Sequence, residues 1–252
     1  MKAAIITVAG ISSRFNEGIP EGNKKLKAIY YETYREKTLL FQLLRKCSFA
    51  DRIVIVGGYK FDELTQYVDG LEPEFKDKIS LVYNPHYEDL GSGFSLYLGL
   101  EEAFSQGAEE ILFVEGDLDI DPESFAKVRD ANGNVVTYTR EPIYANKAVV
   151  FYQDGNGKAH YAFNSDHGLL KIDDAFSCIL NSGQMWKFVN SEKLKEANRK
   201  FYREEPDGTN LKIIRNYLDM DETYELILLS RWTNCNTRKD FEKIESYWED
   251  EQ

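Results

Sequence analysis

Arg14, Lys24 and Asp117 are the residues from which chemistry could start. Arg14 stands in VAGISSRFNEG (8–18), which follows the apolar run Ala3-Ala4-Ile5-Ile6-Thr7. The small residues Ala9, Gly10, Ser12 and Ser13 let backbone N–H groups approach an anion closely, and Arg14, with Lys24 and Lys25, supplies positive charge. The loop suits phosphate, although the same residues also fit an ordinary strand-to-helix loop with incidental charges. It is neither a Walker loop, since no GKS or GKT follows, nor GxGxxG.

Asp117 opens the triplet Asp117, Asp119 and Asp121 of VEGDLDID (114–121), directly behind an apolar strand. Carboxylates at a strand end suit Mg²⁺, which takes oxygen ligands and retains waters beside substrate phosphates. Asp119 and Asp121 read equally as turn and cap residues ahead of Pro122. A calcium loop is excluded, because Pro122 stands where it needs glycine and Val128 where it needs glutamate. Gly91-Ser92-Gly93 precedes an apolar helix, and its N–H groups and dipole could hold a base or a phosphate; Ser92 also reads as a plain N-cap. Thr237 with Asp240 makes a capping box with Asp in place of Glu, next to Asn234 and Asn236, and Asn236 could offer an amide oxygen to a metal. His86, His160 and His167 lack a metal-binding spacing. With no GxSxG elbow and no Cys/His pair, nucleophilic catalysis is not favoured.

These residues need elements to position them. Apolar runs at 3–8, 52–56, 79–83 and 110–114 read as strands. Segments with helical spacing follow at 38–46, 61–68, 94–104 and 122–129. That alternation means βαβ units and a parallel sheet covered on both faces. Ligands of such sheets bind beyond the carboxyl ends of the strands, so the loops 9–24, 57–60, 84–93 and 115–121 should converge. The second half differs. Short strands are expected at 134–138, 147–152 and 158–163, with a hairpin turn at QDGNGK (153–158), and helices at 191–203 and 238–248. No repeat or linker interrupts the 252 residues, so one α/β domain with a mixed-strand extension is expected over 1–252, with a first half to 130 and a second from 131.

The net charge of −12 argues against nucleic acid as a partner, while leaving room for a local cationic site. Three cysteines without CxxC spacing exclude a disulfide framework and read as core thiols. The N-terminal apolar stretch is too short for a signal peptide and no run is long enough for a membrane span, so a soluble, cytoplasmic protein is expected.

VAGISSRF (8–15) followed by NKKL (23–26) resembles the signature L-A-A-G-x-G-x-R-[FM] … P-K-x-L of the nucleotidyltransferases with the GT-A-type, Rossmann-like α/β/α fold (MobA-like NTP transferases). Ser12 replaces the second glycine and Asn23 the proline. RIVIVGGY (52–59), NPHYEDLGSGFSLYLGL (84–100), FVEGD and NCNTRKDFEKIE continue the likeness. NPHY and SLYL are most similar to the small bacterial cytidylyltransferases of the phosphocholine type. The resemblance implies transfer of a nucleoside monophosphate, CMP from CTP in first place, to a small phosphorylated acceptor such as phosphocholine, a phosphonate or a sugar 1-phosphate, with pyrophosphate leaving. It implies Mg²⁺ at Asp117 and Asn236, Arg14 on the leaving pyrophosphate and Lys24 on the α-phosphate. The nucleotide would lie on Ala9, Gly10, Ser12, Ser13, Gly57, Gly91 and Ser92. NSGQMWKF (181–188) resembles the acceptor-side segment and brings in Ser182, Gly183 and Trp186. Phe15, Tyr87, Tyr97 and Trp186, with Asp166, Asp173 and Asp174, are the candidates for holding a quaternary amine. Products of this kind usually feed surface-polymer or lipid decoration in the family. The alternatives are a GT-A glycosyltransferase, which DLD (117–119) would fit, and a non-catalytic nucleotide-binding domain.

Overall fold

The structure is a computed structural model, and it describes residues 1–145, 149–163 and 169–250. The strands are β1 (Lys2–Thr7), β2 (Arg52–Gly57), β3 (Ile79–Tyr83), β4 (Glu110–Glu115), β5 (Leu118–Ile120), β6 (Val135–Thr139), β7 (Val150–Asp154), β8 (Ala159–Ala162), β9 (Phe176–Phe188), β10 (Glu225–Leu228) and β11 (Trp232–Asn234). The helices are α1 (Leu39–Lys46), α2 (Phe61–Asp69), α3 (Pro73–Lys76), α4 (Ser92–Ser105), α5 (Pro122–Asp130), α6 (Ser191–Glu204), α7 (Asn210–Leu218) and α8 (Arg238–Asp250).

The main sheet runs β10-β6-β9-β4-β1-β2-β3, and β7 and β8 branch from β9. β4, β1, β2 and β3 are parallel, with Ile5 opposite both Val54 and Phe113. β9 reverses direction between β4 and β6. β5 and β11 form a separate antiparallel pair that places Asn234 opposite Leu118.

The sheet carries side chains on both faces, which is why its strands are continuously apolar. Ala4, Ile6, Ile53 and Ile55 pack against α1, α2 and α5, while Ala3, Ile5, Val54 and Val56 pack against α4, α6 and α7. The result is the expected three-layer α/β/α arrangement with a mostly parallel centre. A third cluster joins the chain's two ends, with Phe15 and Leu39 packed on Cys235, Phe241, Ile244 and Trp248. Among the described residues no helix is long and apolar enough to cross a membrane.

The first-half elements fall within a residue or two of the expected bounds. In the second half, the strands expected at 147–152 and 158–163 are β7 and β8, and residues 147 and 148 lie outside the described ones. The turn between them is the expected hairpin, with Asp154 accepting from the backbone of Asn156 and Lys158. α3, β5, β9, β10, β11 and α7 were not anticipated, and β5 forms within the stretch 115–121 expected as a loop. Cys47 and Cys235 are buried, and burial pushes both thiols up to about 12, so they are inert core groups. Cys178 is only half-buried and is no core thiol.

Candidate functional site

Three of the four expected loops meet at the carboxyl ends of the parallel strands. They enclose a cavity of about 230 Å³. Thr7 to Gly10 and Ser12 line one wall, Asn84, Tyr87 and Leu90 to Ser92 another, and Glu115 to Asp117 the floor, with Lys27 and Asn210 completing it. The fourth loop, 57–60, stands behind. Tyr59 N–H donates to Ala9 O at 3.1 Å, and Gly58 leaves room for the Tyr87 side chain, whose Cβ would lie 2.4 Å from any Cβ placed there.

The first loop is built by hydrogen bonds to its own side chains. Asn16, buried, donates to Ser12 O and Lys25 O and accepts from Lys25 N–H, which ties residues 12–16 to 25. Ser12 has φ +55°, the left-handed region that glycine adopts freely. Ser12 therefore holds a backbone conformation that costs a residue with a Cβ and that glycine would adopt without strain. Its hydroxyl accepts from Lys27 N–H at 3.3 Å.

The chain leaves β4 through Gly116, whose N–H donates to Thr7 O at 3.0 Å and where a Cβ would lie 2.7 Å from that oxygen. The turn points Asp117 into the cavity. Its backbone carbonyl accepts from Cys235 N–H at 2.8 Å, which brings the 234–236 segment alongside. Asp117 Oδ2 accepts from Lys27 Nζ at 2.7 Å, and the same ammonium donates to Cys235 O at 3.0 Å. Asp117 Oδ1 and Asn234 Oδ1 are both buried without a hydrogen-bond partner. Hard carboxylate and amide oxygens of that kind fit Mg²⁺. Asn236 Oδ1 instead accepts from Arg14 Nη2 at 2.8 Å. Glu115 completes the floor. It accepts from Asn210 Nδ2 at 2.7 Å and Gln184 Nε2 at 3.2 Å, and burial, helped by the Asp117 charge, pushes its carboxyl up to about 8.

Of the residues expected from sequence, Ala9, Gly10, Ser12, Gly91, Ser92 and Asp117 line the cavity. Ser13 and Arg14 are exposed on the loop beyond it. Lys24 does not line it either, and its ammonium pairs with Glu21 at 2.6 Å. Gly57 is a packing glycine, because a Cβ there would meet Leu64 and Phe61. Ser92 does not cap α4; it is the first helical residue, behind Gly91.

The acceptor-side expectation needs correcting most. Trp186 is fully buried and stacks on Phe113 with ring centroids 5.3 Å apart. Ser182 is buried, and Gly183 is pressed against Thr137 and Leu229. β9 turns all three inward. Phe15 is core, Tyr97 stacks on Tyr202, and only Tyr87 of the four aromatics lines the cavity. Asp173 pairs with Lys171, Asp174 accepts from Tyr152, and Asp166 lies outside the described residues. The four aromatics therefore build no cage around the cavity.

Asp119 is fully buried. It is held by Arg231, by Lys46 at 3.4 Å and by Trp248 Nε1 at 2.9 Å, so DLD is not a pair of metal ligands. Asp121 is the expected N-cap, accepting from Ser124 N–H, and Asp240 and Thr237 make the expected capping box. Lys27, Glu115, Asn84 and Asn210 were missed. For Lys27 the one available signal was a lysine set between the apolar residues Leu26 and Ala28.

A family described as Domain of unknown function (DUF6564) matches residues 23–248, and the chain belongs to it. No curated protein matches the sequence. The architecture is that of solved nucleotidyltransferases. The inositol-1-phosphate CTP transferase from T. maritima superposes with a TM-score of 0.67 at 15% identity, over 98% of this chain and 95% of that one. The CTP:phosphocholine cytidylyltransferase from Streptococcus pneumoniae gives 0.57 at 16%, over 98% and 99%. A putative glucose-1-phosphate thymidylyltransferase from Bacillus anthracis gives 0.67 at 14%, over 98% and 95%. At these identities the likeness establishes a shared fold.

Proposed function

We propose that the chain is a nucleotidyltransferase. It transfers a nucleoside monophosphate, with CMP from CTP as first choice, to a small phosphorylated acceptor and releases pyrophosphate. The acceptor is phosphocholine, a phosphonate or a sugar 1-phosphate. The observation that carries the reading is that Asp117 and the small residues Ala9, Gly10 and Ser12 line one cavity at the carboxyl edge of the sheet. The acceptors and nucleotides named for the three solved structures of this fold support the same class of reaction.

In this reading the acceptor phosphate attacks the α-phosphorus in line, and the protein contributes position and charge rather than covalent chemistry. The backbone of Ala9, Gly10 and Ser12 faces the phosphates, with Ser92 at the start of α4 opposite. Arg14, hydrogen-bonded to Asn236, and Lys24 stand on the loop leading to the cavity, Arg14 to neutralise the leaving pyrophosphate and Lys24 the α-phosphate. The Lys24–Glu21 pair is exposed and costs little to open. Asp117 would hold Mg²⁺, with Asn236 as the amide oxygen expected from sequence and the unpartnered Asn234 Oδ1 as the alternative. When bound, the metal supplies charge neutralisation between the reacting phosphates.

The test is pyrophosphate release with Mg²⁺, each of the four triphosphates, and a panel holding phosphocholine, aminoethylphosphonate and sugar 1-phosphates. Release that needs one triphosphate together with one acceptor establishes the reaction and names both substrates. Thermal stabilisation by a triphosphate reports binding with or without turnover, so stabilisation with no release across the panel leaves an untested acceptor and the non-catalytic class standing together.

A further inference from the structure

The Lys27 ammonium lies where a cation is expected. It sits 2.7 Å from Asp117 Oδ2 and 3.0 Å from Cys235 O, and both side chains of the ion pair are about four-fifths buried, with 18% and 21% exposure. The lysine backbone is anchored. Its N–H donates to the Ser12 hydroxyl, and its neighbours Leu26 and Ala28 are both buried. The side chain is therefore delivered to Asp117 from a segment tied by that hydrogen bond to the loop that suits phosphate. A fold with oxygen ligands for Mg²⁺ at this position carries its own monovalent cation there.

We infer that Lys27 is an internal competitor for the metal position: its ammonium holds Asp117, and a divalent cation binds only as that ion pair gives way. The inference rests on the nucleotidyl-transfer reading for what the metal is for, but not for the competition itself. An ammonium and a divalent ion on one carboxylate repel each other, so metal binding loses whatever it costs to shift Lys27. Asp117 Oδ1, buried and unpartnered on a residue that lines the cavity, is the oxygen left to receive the incoming ion. A polyphosphate entering the cavity offers the ammonium another anion, and drawing Lys27 toward it frees Asp117. Metal and triphosphate then favour each other's binding, and by linkage the coupling is reciprocal. The site stays poorly metallated until its nucleotide arrives.

The test is Mn²⁺ binding to the isolated full chain, read by the loss of the free-ion electron paramagnetic resonance signal, for wild type and Lys27→Met. The expected result is Mn²⁺ binding about tenfold tighter, or more, in Lys27→Met, the factor that corresponds to removing one competing ion pair of about 1.4 kcal/mol. Asp117→Asn in the same background abolishes the gain. Unchanged or weaker Mn²⁺ binding in a folded Lys27→Met protein, or none in either protein, overturns the inference. If Lys27→Met does not fold, competitive acetylation of wild-type lysines decides. Saturating Mn²⁺ should raise the reactivity of Lys27 several-fold against Lys78, and no rise overturns it. Neither readout uses turnover, so pyrophosphate release judges the nucleotidyl-transfer reading separately.

Discussion

Ser12 and Glu115 show how single residues are set for the site. A φ of +55° costs a residue with a Cβ about 1–2 kcal/mol, and a β-branched one more. Ser12→Val should therefore lower the unfolding free energy by about 2 kcal/mol, whereas Ser12→Gly should stay within about 1 kcal/mol of wild type, losing only the hydroxyl that Lys27 N–H donates to. Urea unfolding of the two variants checks this, and equal losses would mean that the backbone there is not left-handed. Glu115 carries the pH dependence. Its carboxyl titrates near 8 in the folded chain because burial, and then the Asp117 charge, disfavour its ionised form, against 4.5 ordinarily. Between those values the folded state binds more protons than the unfolded one. By linkage, the Glu115 contribution to stability falls as pH rises from about 4.5 through about 8. Urea unfolding in a chelator from about pH 5 to about pH 8.5 should show this decline in wild type and lose most of it in Glu115→Gln. A slope common to both proteins would assign the decline elsewhere.

Elements explain which parts of the site the sequence discloses. β1, β2 and β4 are buried on both faces, so they read as uninterrupted apolar runs, and the loops behind them were legible with Asp117 among their residues. β9 was hidden because polar and small residues, NSGQ, break its pattern. A bulge against β6 lies there, and Gln184 takes φ +54°. The bulge sends Gln184 toward Glu115 and Asn234 while Trp186 turns into the core. Composition could not separate those two directions, which is how Trp186 was misplaced in the acceptor site. α7 is amphipathic and was legible in principle. Which of Lys24, Lys25 and Lys27 faces Asp117 was not, since a short irregular loop has no periodicity to aim a side chain. Helix α4 shows an element fitted to its strands. A Cβ at Gly99 would lie 2.8 Å from Ile5 Cγ2 and 3.1 Å from Val56 Cγ2, both on fully buried residues. Gly99→Val should cost about 2–3 kcal/mol through overpacking, read as a lower urea midpoint with an unchanged m-value. No loss would mean that α4 can lift from the sheet without penalty.

At the scale of the whole molecule, the site depends on the chain's two ends being held together. Arg14 and Asn236 are hydrogen-bonded across 222 positions, and Lys27 reaches Cys235 in the same way. The apolar cluster that makes this possible is separate from the two sheet-face cores: Phe15 packs edge-on against Tyr30 and Phe241, and Phe241 against Trp248. Arg238 lies over Phe15 and Tyr30, 4.2 and 3.7 Å from the ring centroids, and donates to Phe15 O. Helix α8 thus acts as a clasp over the loop 8–28 rather than as a layer of the sandwich. Phe241→Ala removes the ring at the centre of the cluster and should cost about 3–5 kcal/mol if the clasp and the sheet unfold as one unit. If they are separate cooperative units, the loss falls on the clasp first. Because the sheet faces share no buried residue with this cluster, the expected outcome is the second. Amide hydrogen exchange in Phe241→Ala should quicken across residues 9–25 and 235–248 while β1, β2 and β4 keep their protection. Triphosphate binding, followed by thermal shift, should weaken in step with that local opening. Uniform acceleration across the sheet would show that the clasp and the core fold together, and that the site is as stable as the molecule that carries it.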